Sequence, residues 1–125
     1  MTLFHKGVFT LHSGKRSDWF IDCGQLTDED WATLAYLIQK QISFRRVIGV
    51  PTGGLKLAQA LEQYAREECV STLIVDDVLT TGKSMEEIKA AYLGQPVMGA
   101  VVFSRGICPD WIFACFRLRP VLMEV

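Results

Sequence analysis

From residue 27 onward the apolar positions keep two rhythms in turn, and the alternation predicts helices and strands. Trp31, Leu34, Ala35, Ile38 and Ile42 follow the i, i+3, i+4, i+7 spacing of an amphipathic helix. Thr27 is placed to cap it, and Asp28, Glu29 and Asp30 favour its positive end. Its apolar stripe is core by the ordinary burial tendency of such residues. After Arg45 and Arg46, Val47 to Val50 reads as a short strand. A second helix carries apolar positions 57, 58, 61, 64 and 65 and is expected to end near Arg66, and a strand begins near Thr72. Met85, Ile88 and Tyr92 mark a third helix, stopped by Gly94 and Pro96. Val97 to Phe103 and Ile112 to Phe116 complete the strands. Continuous Val/Ile/Leu runs between helices are the mark of strands buried on both faces. The prediction is an α/β fold in three layers, with a mostly parallel sheet of about four core strands. Ahead of it, two short apolar runs within Phe4 to Cys23 flank Ser13-Gly14-Lys15-Arg16-Ser17, the pattern of a hairpin-like hood. The chain is read as one domain, residues 1–26 forming the hood and 27–125 the α/β core.

Composition changes this picture little. With 125 residues, half of them apolar, the chain can bury a real if small core. Thirteen basic and fourteen acidic residues leave a net charge of −1, which argues against broad attraction to nucleic acid or a membrane surface. No apolar run approaches the roughly 18 residues needed to span a bilayer, and the N-terminus lacks a signal-peptide pattern, so a soluble cytoplasmic protein is expected. Cys23, Cys69, Cys108 and Cys115 form no C-x-x-C pair, and neither His5 nor His12 stands beside them, which argues against a zinc site. Cys69 and Cys115 sit among apolar neighbours and are expected in the core.

The chemistry concentrates in Leu73-Ile-Val-Asp-Asp-Val-Leu-Thr-Thr-Gly-Lys-Ser84. An apolar strand runs into two carboxylates, then into a small, hydroxylated, glycine-containing loop before a helix. Ligands of open parallel sheets bind beyond the carboxyl ends of the strands. There the N–H groups of Thr80 to Ser84 and the hydroxyls of Thr80, Thr81 and Ser84 can wrap a phosphate. Asp76 and Asp77 suit sugar hydroxyls or a phosphate-bound Mg²⁺. Gly82-Lys83-Ser84 matches the end of the nucleoside-triphosphate loop G-x-x-x-x-G-K-[ST], but that loop requires glycine where this chain has Asp77. An ordinary strand, turn and helix with solvated acids leaves the ordered run of acids, threonines, glycine and serine unexplained. A second anion-ready turn is Gly49-Val50-Pro51-Thr52-Gly53-Gly54, although a generic strand-to-helix turn has the same form.

The 73–84 run resembles the phosphoribosyl-pyrophosphate signature of type I phosphoribosyltransferases, an apolar strand ending in two acids and followed by Thr-Thr-Gly-x-Ser. The resemblance implies that Asp76 and Asp77 hold ribose hydroxyls and that Thr80, Thr81, Gly82, Lys83 and Ser84 hold the 5′-phosphate. Phe9-Thr-Leu-His-Ser-Gly-Lys-Arg-Ser17, followed by Trp19, Phe20 and Asp22, is similar to the N-terminal segment of orotate phosphoribosyltransferases. On its own this is a solvated basic loop; the resemblance sets Lys15 against a phosphate or carboxylate and Phe20 beside the base. The 49–54 turn resembles that family's pyrophosphate loop, which gives Thr52, Gly53 and Gly54 pyrophosphate contacts and makes Lys56 a weaker candidate. Arg105, at the end of a strand, corresponds to the family arginine that pairs with the orotate carboxylate, a geometry suited to guanidinium.

The resemblance covers residues 9 to about 117 with one departure. The family has a further strand and a mobile lysine-bearing loop between the second helix and the 72–79 strand, where this chain has only a short join near 67–71. What the resemblance implies is a glycosyltransferase that moves ribose 5-phosphate from phosphoribosyl pyrophosphate to orotate, releasing pyrophosphate. Asp76, Asp77 and Lys15 would be its catalytic residues, Mg²⁺ would be held mainly by substrate, and a homodimer is the family habit. Without the lysine loop the alternative is a non-catalytic phosphoribosyl-binding regulatory module. A third reading keeps the enzyme and changes the base to uracil or a purine.

Overall fold

The computed structural model describes residues 3–10 and 16–118, with the backbone alone for 6–10 and 16–20. Nine elements follow in order: β1 (Phe4–Thr10), β2 (Arg16–Ile21), α1 (Asp28–Gln41), β3 (Arg46–Gly49), α2 (Leu55–Leu61), β4 (Thr72–Leu79), α3 (Lys83–Ala90), β5 (Val97–Arg105) and β6 (Ile112–Leu118). β1 and β2 pair antiparallel, with Phe4 opposite Ile21 and Thr10 opposite Arg16, and form the expected hairpin. The other four strands make one parallel sheet in the order β3-β4-β5-β6. The three-layer α/β architecture read from the sequence is the one observed.

Each face of the sheet has its own apolar cluster because side chains alternate along a strand. Leu73, Val75, Ala100 and Val102 pack with Trp31, Leu34, Ala35 and Ile38 of α1 and Leu57, Ala58 and Leu61 of α2. Ile74 and Val101 point the other way, onto Met85 of α3 and Ile112. Helix α1 starts as its sequence dictates. Thr27 Oγ1 accepts from the Asp30 N–H at 3.1 Å and Asp30 Oδ2 accepts from the Thr27 N–H at 2.8 Å, a reciprocal capping box.

Four expectations need correction. Helix α2 stops at Leu61 rather than near Arg66, because residues 62–64 tighten into a 3₁₀ turn and the Arg66 N–H bonds back to the Phe44 carbonyl at 2.9 Å. Strand β4 does not end at its acids but runs on to Leu79, held by pairing with Phe103 and Ser104 of β5. Cys69 and Cys115 are half-buried, and the buried cysteine is Cys23. Trp111, expected at an edge or dimer surface, lies on α3, donating from Nε1 to Glu86 Oε1 at 2.9 Å with the Lys89 ammonium 4.5 Å from its ring. The chain from Arg105 back to Ile112 carries no helix; residues 106–111 return extended along the α3 face. Among the described residues no helix is long and apolar enough to cross a membrane.

Candidate active site

The site is built where β3 and β4 release the chain. β3 passes into the 50–54 turn, whose register is fixed by the Val50 N–H donating to the Val75 carbonyl at 2.8 Å. Gly54 is wedged so closely against the Val75 carbonyl and the Val50 N–H that a Cβ there would enter the backbone. Gly53 faces the site instead: a Cβ at this position would stand 2.5 to 2.7 Å from the Asp77 carboxylate. The absence of a side chain at residue 53 is therefore what lets the turn lie directly on the acid pair. Two segments more than twenty residues apart in sequence form one surface.

The acids bend toward their own backbone. Asp76 Oδ1 accepts from the Asp77 N–H at 2.8 Å, and Asp77 Oδ1 accepts from the Val78 N–H at 2.7 Å. One oxygen of each carboxylate is thereby fixed, and the other carries no printed protein bond. Burial pushes the Asp76 carboxyl up to about 8, helped by its hydrogen bond to Asp77 and by that neighbour's charge, while the Asp77 N–H works the other way. The pair carries close to one negative charge at neutral pH rather than two.

After Leu79 the chain turns through Thr80 and Thr81 to Gly82, whose φ of 80° lies in the left-handed region open to glycine. The Thr81 hydroxyl accepts from the Lys83 N–H at 3.3 Å, and no side chain caps α3. The first turn of α3 thus leaves N–H groups available, beside the exposed Thr81 and Ser84. Of the remaining sequence candidates, Arg105 ends β5, roughly 13 Å beyond Val101 at about 3.3 Å per residue, while Val101 itself pairs with Asp76. Phe20 lies on β2, and its side chain is outside the description, as is the whole of Lys15.

The structure adds the foot of the hood, which the sequence reading left without a role. Asp22 caps a 3₁₀ turn over residues 23–25, accepting from the Gly24 N–H at 3.1 Å and from Gln25 Nε2 at 3.0 Å, with His5 Nε2 3.7 Å from Oδ2. Cys23, buried within this turn, has its thiol pushed up to about 12 by burial and then by the carboxylates of Asp77, Asp22 and Asp76. The turn at the foot of the hairpin therefore adjoins the acid pair, and the thiol is an inert wall rather than a nucleophile. The sequence signal was Asp22 following the aromatic pair Trp19-Phe20, without a spacing that announced its contacts.

No group of three or more His, Cys, Asp or Glu side chains capable of holding a metal occurs among the described residues. Two carboxylates, each with one oxygen already committed to backbone, fit a Mg²⁺ that brings most of its oxygen ligands with a substrate. They do not form a metal cage by themselves.

Known proteins agree with this architecture. No family model matches the chain. An orotate phosphoribosyltransferase from Pyrobaculum aerophilum is 29% identical over 159 aligned positions, covering 95% of this chain and 82% of the relative. That alignment is longer than the chain itself, so the relative has segments with no counterpart here. The orotate phosphoribosyltransferase of Pyrobaculum islandicum is 32% identical over 129 positions, covering 78% of this chain and 66% of that protein. The crystal structure of orotate phosphoribosyltransferase from Aeropyrum pernix shares the fold with a TM-score of 0.70, at 23% identity, over 92% of this chain and 88% of that one. With its parallel sheet, two loops meeting at one carboxyl edge and these relatives, the chain belongs to the type I phosphoribosyltransferase family, close to the orotate phosphoribosyltransferases.

Proposed function

We propose that the protein transfers ribose 5-phosphate from phosphoribosyl pyrophosphate to the ring nitrogen of a pyrimidine, with orotate the favoured base. The observation that carries this is the contact of Gly53 with the Asp77 carboxylate, which joins a pyrophosphate-type turn to a ribose-type acid pair. In the reaction the bond from the anomeric carbon to the diphosphate oxygen breaks, its electrons leave with pyrophosphate, and the ring nitrogen forms the new bond. The protein's part is positioning and electrostatics. Asp76 and Asp77 accept from the ribose hydroxyls, the 80–84 loop holds the 5′-phosphate, and Thr52, Gly53 and Gly54 donate to the pyrophosphate. Lys15, Phe20 and Arg105 border the base. A bound Mg²⁺, held by substrate oxygens and the free oxygens of Asp76 and Asp77, would neutralise charge on the leaving group.

A second reading, a phosphoribosyl-binding module without turnover, is favoured by the join between α2 and β4. Residues 65–71 hold one cation, Arg66, against Glu67 and Glu68, and the bond from Arg66 to Phe44 ties the join to the amino end of β3, away from the site. Incubation of the full chain with phosphoribosyl pyrophosphate, Mg²⁺ and orotate, uracil or a purine, followed by chromatography, separates the two. Nucleotide formed from orotate supports the enzyme and its base. Nucleotide from another base moves the specificity, and no product with any base refutes transfer. Binding of orotidine 5′-monophosphate in the absence of product then supports the module.

A further inference from the structure

We propose that Lys56 is the side chain that holds the diphosphate end of the ligand over the 52–54 turn, an assignment that rests on the phosphoribosyl reading above. A diphosphate placed at this turn would lie beside the Asp77 carboxylate, and like charges about 4 Å apart repel by roughly 1 to 4 kcal/mol per pair between water and a protein surface. A cation is needed on this side of the site. Pro51, Thr52, Gly53 and Gly54 supply none, and Arg66 in the join stands at the other end of the sheet.

Lys56 is placed to answer that need. Helical geometry reaches back into the turn: the Gly54 N–H bonds to the Val50 carbonyl at 2.8 Å, the Leu55 N–H to the Thr52 carbonyl at 3.2 Å and the Ala58 N–H to the Gly54 carbonyl at 3.0 Å. Gly54 itself has φ −86° and ψ −6°. Side chains on such a turn lean toward its N-terminus and cover the residues three and four positions back. For Lys56 those are Gly53 and Thr52, the pair set against Asp77. The core side of α2 is taken by Leu57, Ala58 and Leu61, whereas Lys56 is exposed. Among the described residues it has no salt-bridge partner, and the first turn of α2 contains no acid.

The contrast with α1 sharpens the point. Helix α1 opens on three acids and a capping box, the arrangement that suits a positive helix end; α2 opens without side-chain cap or acid and with a lysine second. A cation there is disfavoured by about 0.3 to 1 kcal/mol in the protein alone, and an anion lying across the turn reverses the sign.

The test uses the full chain and its Lys56→Gln and Lys56→Arg variants, titrated calorimetrically with pyrophosphate and Mg²⁺, with phosphoribosyl pyrophosphate, and with orotidine 5′-monophosphate, which has no diphosphate. Loss of one charge-assisted contact predicts that Lys56→Gln weakens the two diphosphate ligands roughly 10- to 100-fold. Orotidine 5′-monophosphate should bind it within about twofold of wild type, a change near 0.4 kcal/mol. Lys56→Arg should restore most of the loss, and thermal unfolding of both variants should match wild type. Unchanged pyrophosphate affinity in Lys56→Gln, with the nucleotide still bound, overturns the role of Lys56 and leaves the phosphoribosyl reading standing. Wild-type protein that binds the nucleotide but neither diphosphate also overturns it. Wild-type protein that binds none of the three overturns both.

Discussion

Replacing Gly53 by alanine isolates the contact on which the site depends. The added methyl would stand 2.5 to 2.7 Å from three atoms of the Asp77 carboxylate, well inside the 3.5 to 4.0 Å of an ordinary non-bonded contact. Either the turn or the carboxylate must move by about an ångström. The turn is tied through Val50 to the Val75 carbonyl at 2.8 Å, and Gly54 behind it has backbone on two sides. The carboxylate is the softer element, and its displacement breaks the bond to the Val78 N–H at 2.7 Å. A hydrogen bond to a charged group is worth about 1.5 to 3 kcal/mol, so ribose-directed binding should weaken roughly 10- to 100-fold while the fold survives. Calorimetric titration of orotidine 5′-monophosphate into wild type, Gly53→Ala, Asp77→Ala and the double variant measures the coupling. Once Asp77 is truncated the obstruction is gone, so Gly53→Ala should cost little more in that background, giving a coupling above about 1 kcal/mol. Gly54→Ala meets backbone instead and should lower the unfolding temperature sharply. Strictly additive losses at 53 and 77, or a Gly53→Ala variant as unstable as Gly54→Ala, would refute the reasoning.

Two further outcomes follow from the same structure. Because the Asp76 carboxyl titrates near 8 in the fold and near 4 in the unfolded chain, the folded state holds the extra proton between those values. Stability should therefore fall as pH rises from about 4 to about 8, by at most about 1.4 kcal/mol per unit from this group, and Asp76→Asn should flatten that slope in urea unfolding across pH 5 to 9. A slope unchanged by the substitution would remove the assignment. Thr27→Ala deletes one arm of the α1 capping box and should cost about 1 kcal/mol by the same unfolding measurement, without altering nucleotide affinity.

The candidate site was legible wherever its chemistry is written in consecutive residues. Asp76-Asp77 and Thr80 to Ser84 are one uninterrupted run, and Thr52-Gly53-Gly54 is another, because loops that present backbone N–H groups must use small or left-handed residues in a fixed order. The contribution of Asp22 and Cys23 was not legible. Their nearness to Asp76 and Asp77 comes from a hairpin foot packing on a strand some fifty residues away, and no local spacing records it. The end of α2 was misread for a related reason. Tyr64 and Ala65 continue an apolar helical rhythm, but the Arg66 bond to Phe44 ends the helix from outside the segment. Likewise β4 runs past its acids because β5 supplies partners as far as Ser104.

The amino-acid sequence alone determined the order of helices and strands, the parallel sense of the sheet and the identity of the two anion-ready loops. These follow from hydrophobic period, capping and turn chemistry, all of which act over a few residues. Tertiary structure decided that the two loops touch, through a glycine at 53 with no side chain to separate it from Asp77. It also decided that Asp76 keeps its proton near neutral pH and that Lys56 leans over the turn while Leu57 enters the core. Each of these depends on which atoms burial and pairing bring within a few ångströms. Desolvation, steric contact and charge act through space, and the sequence records only the order along the chain.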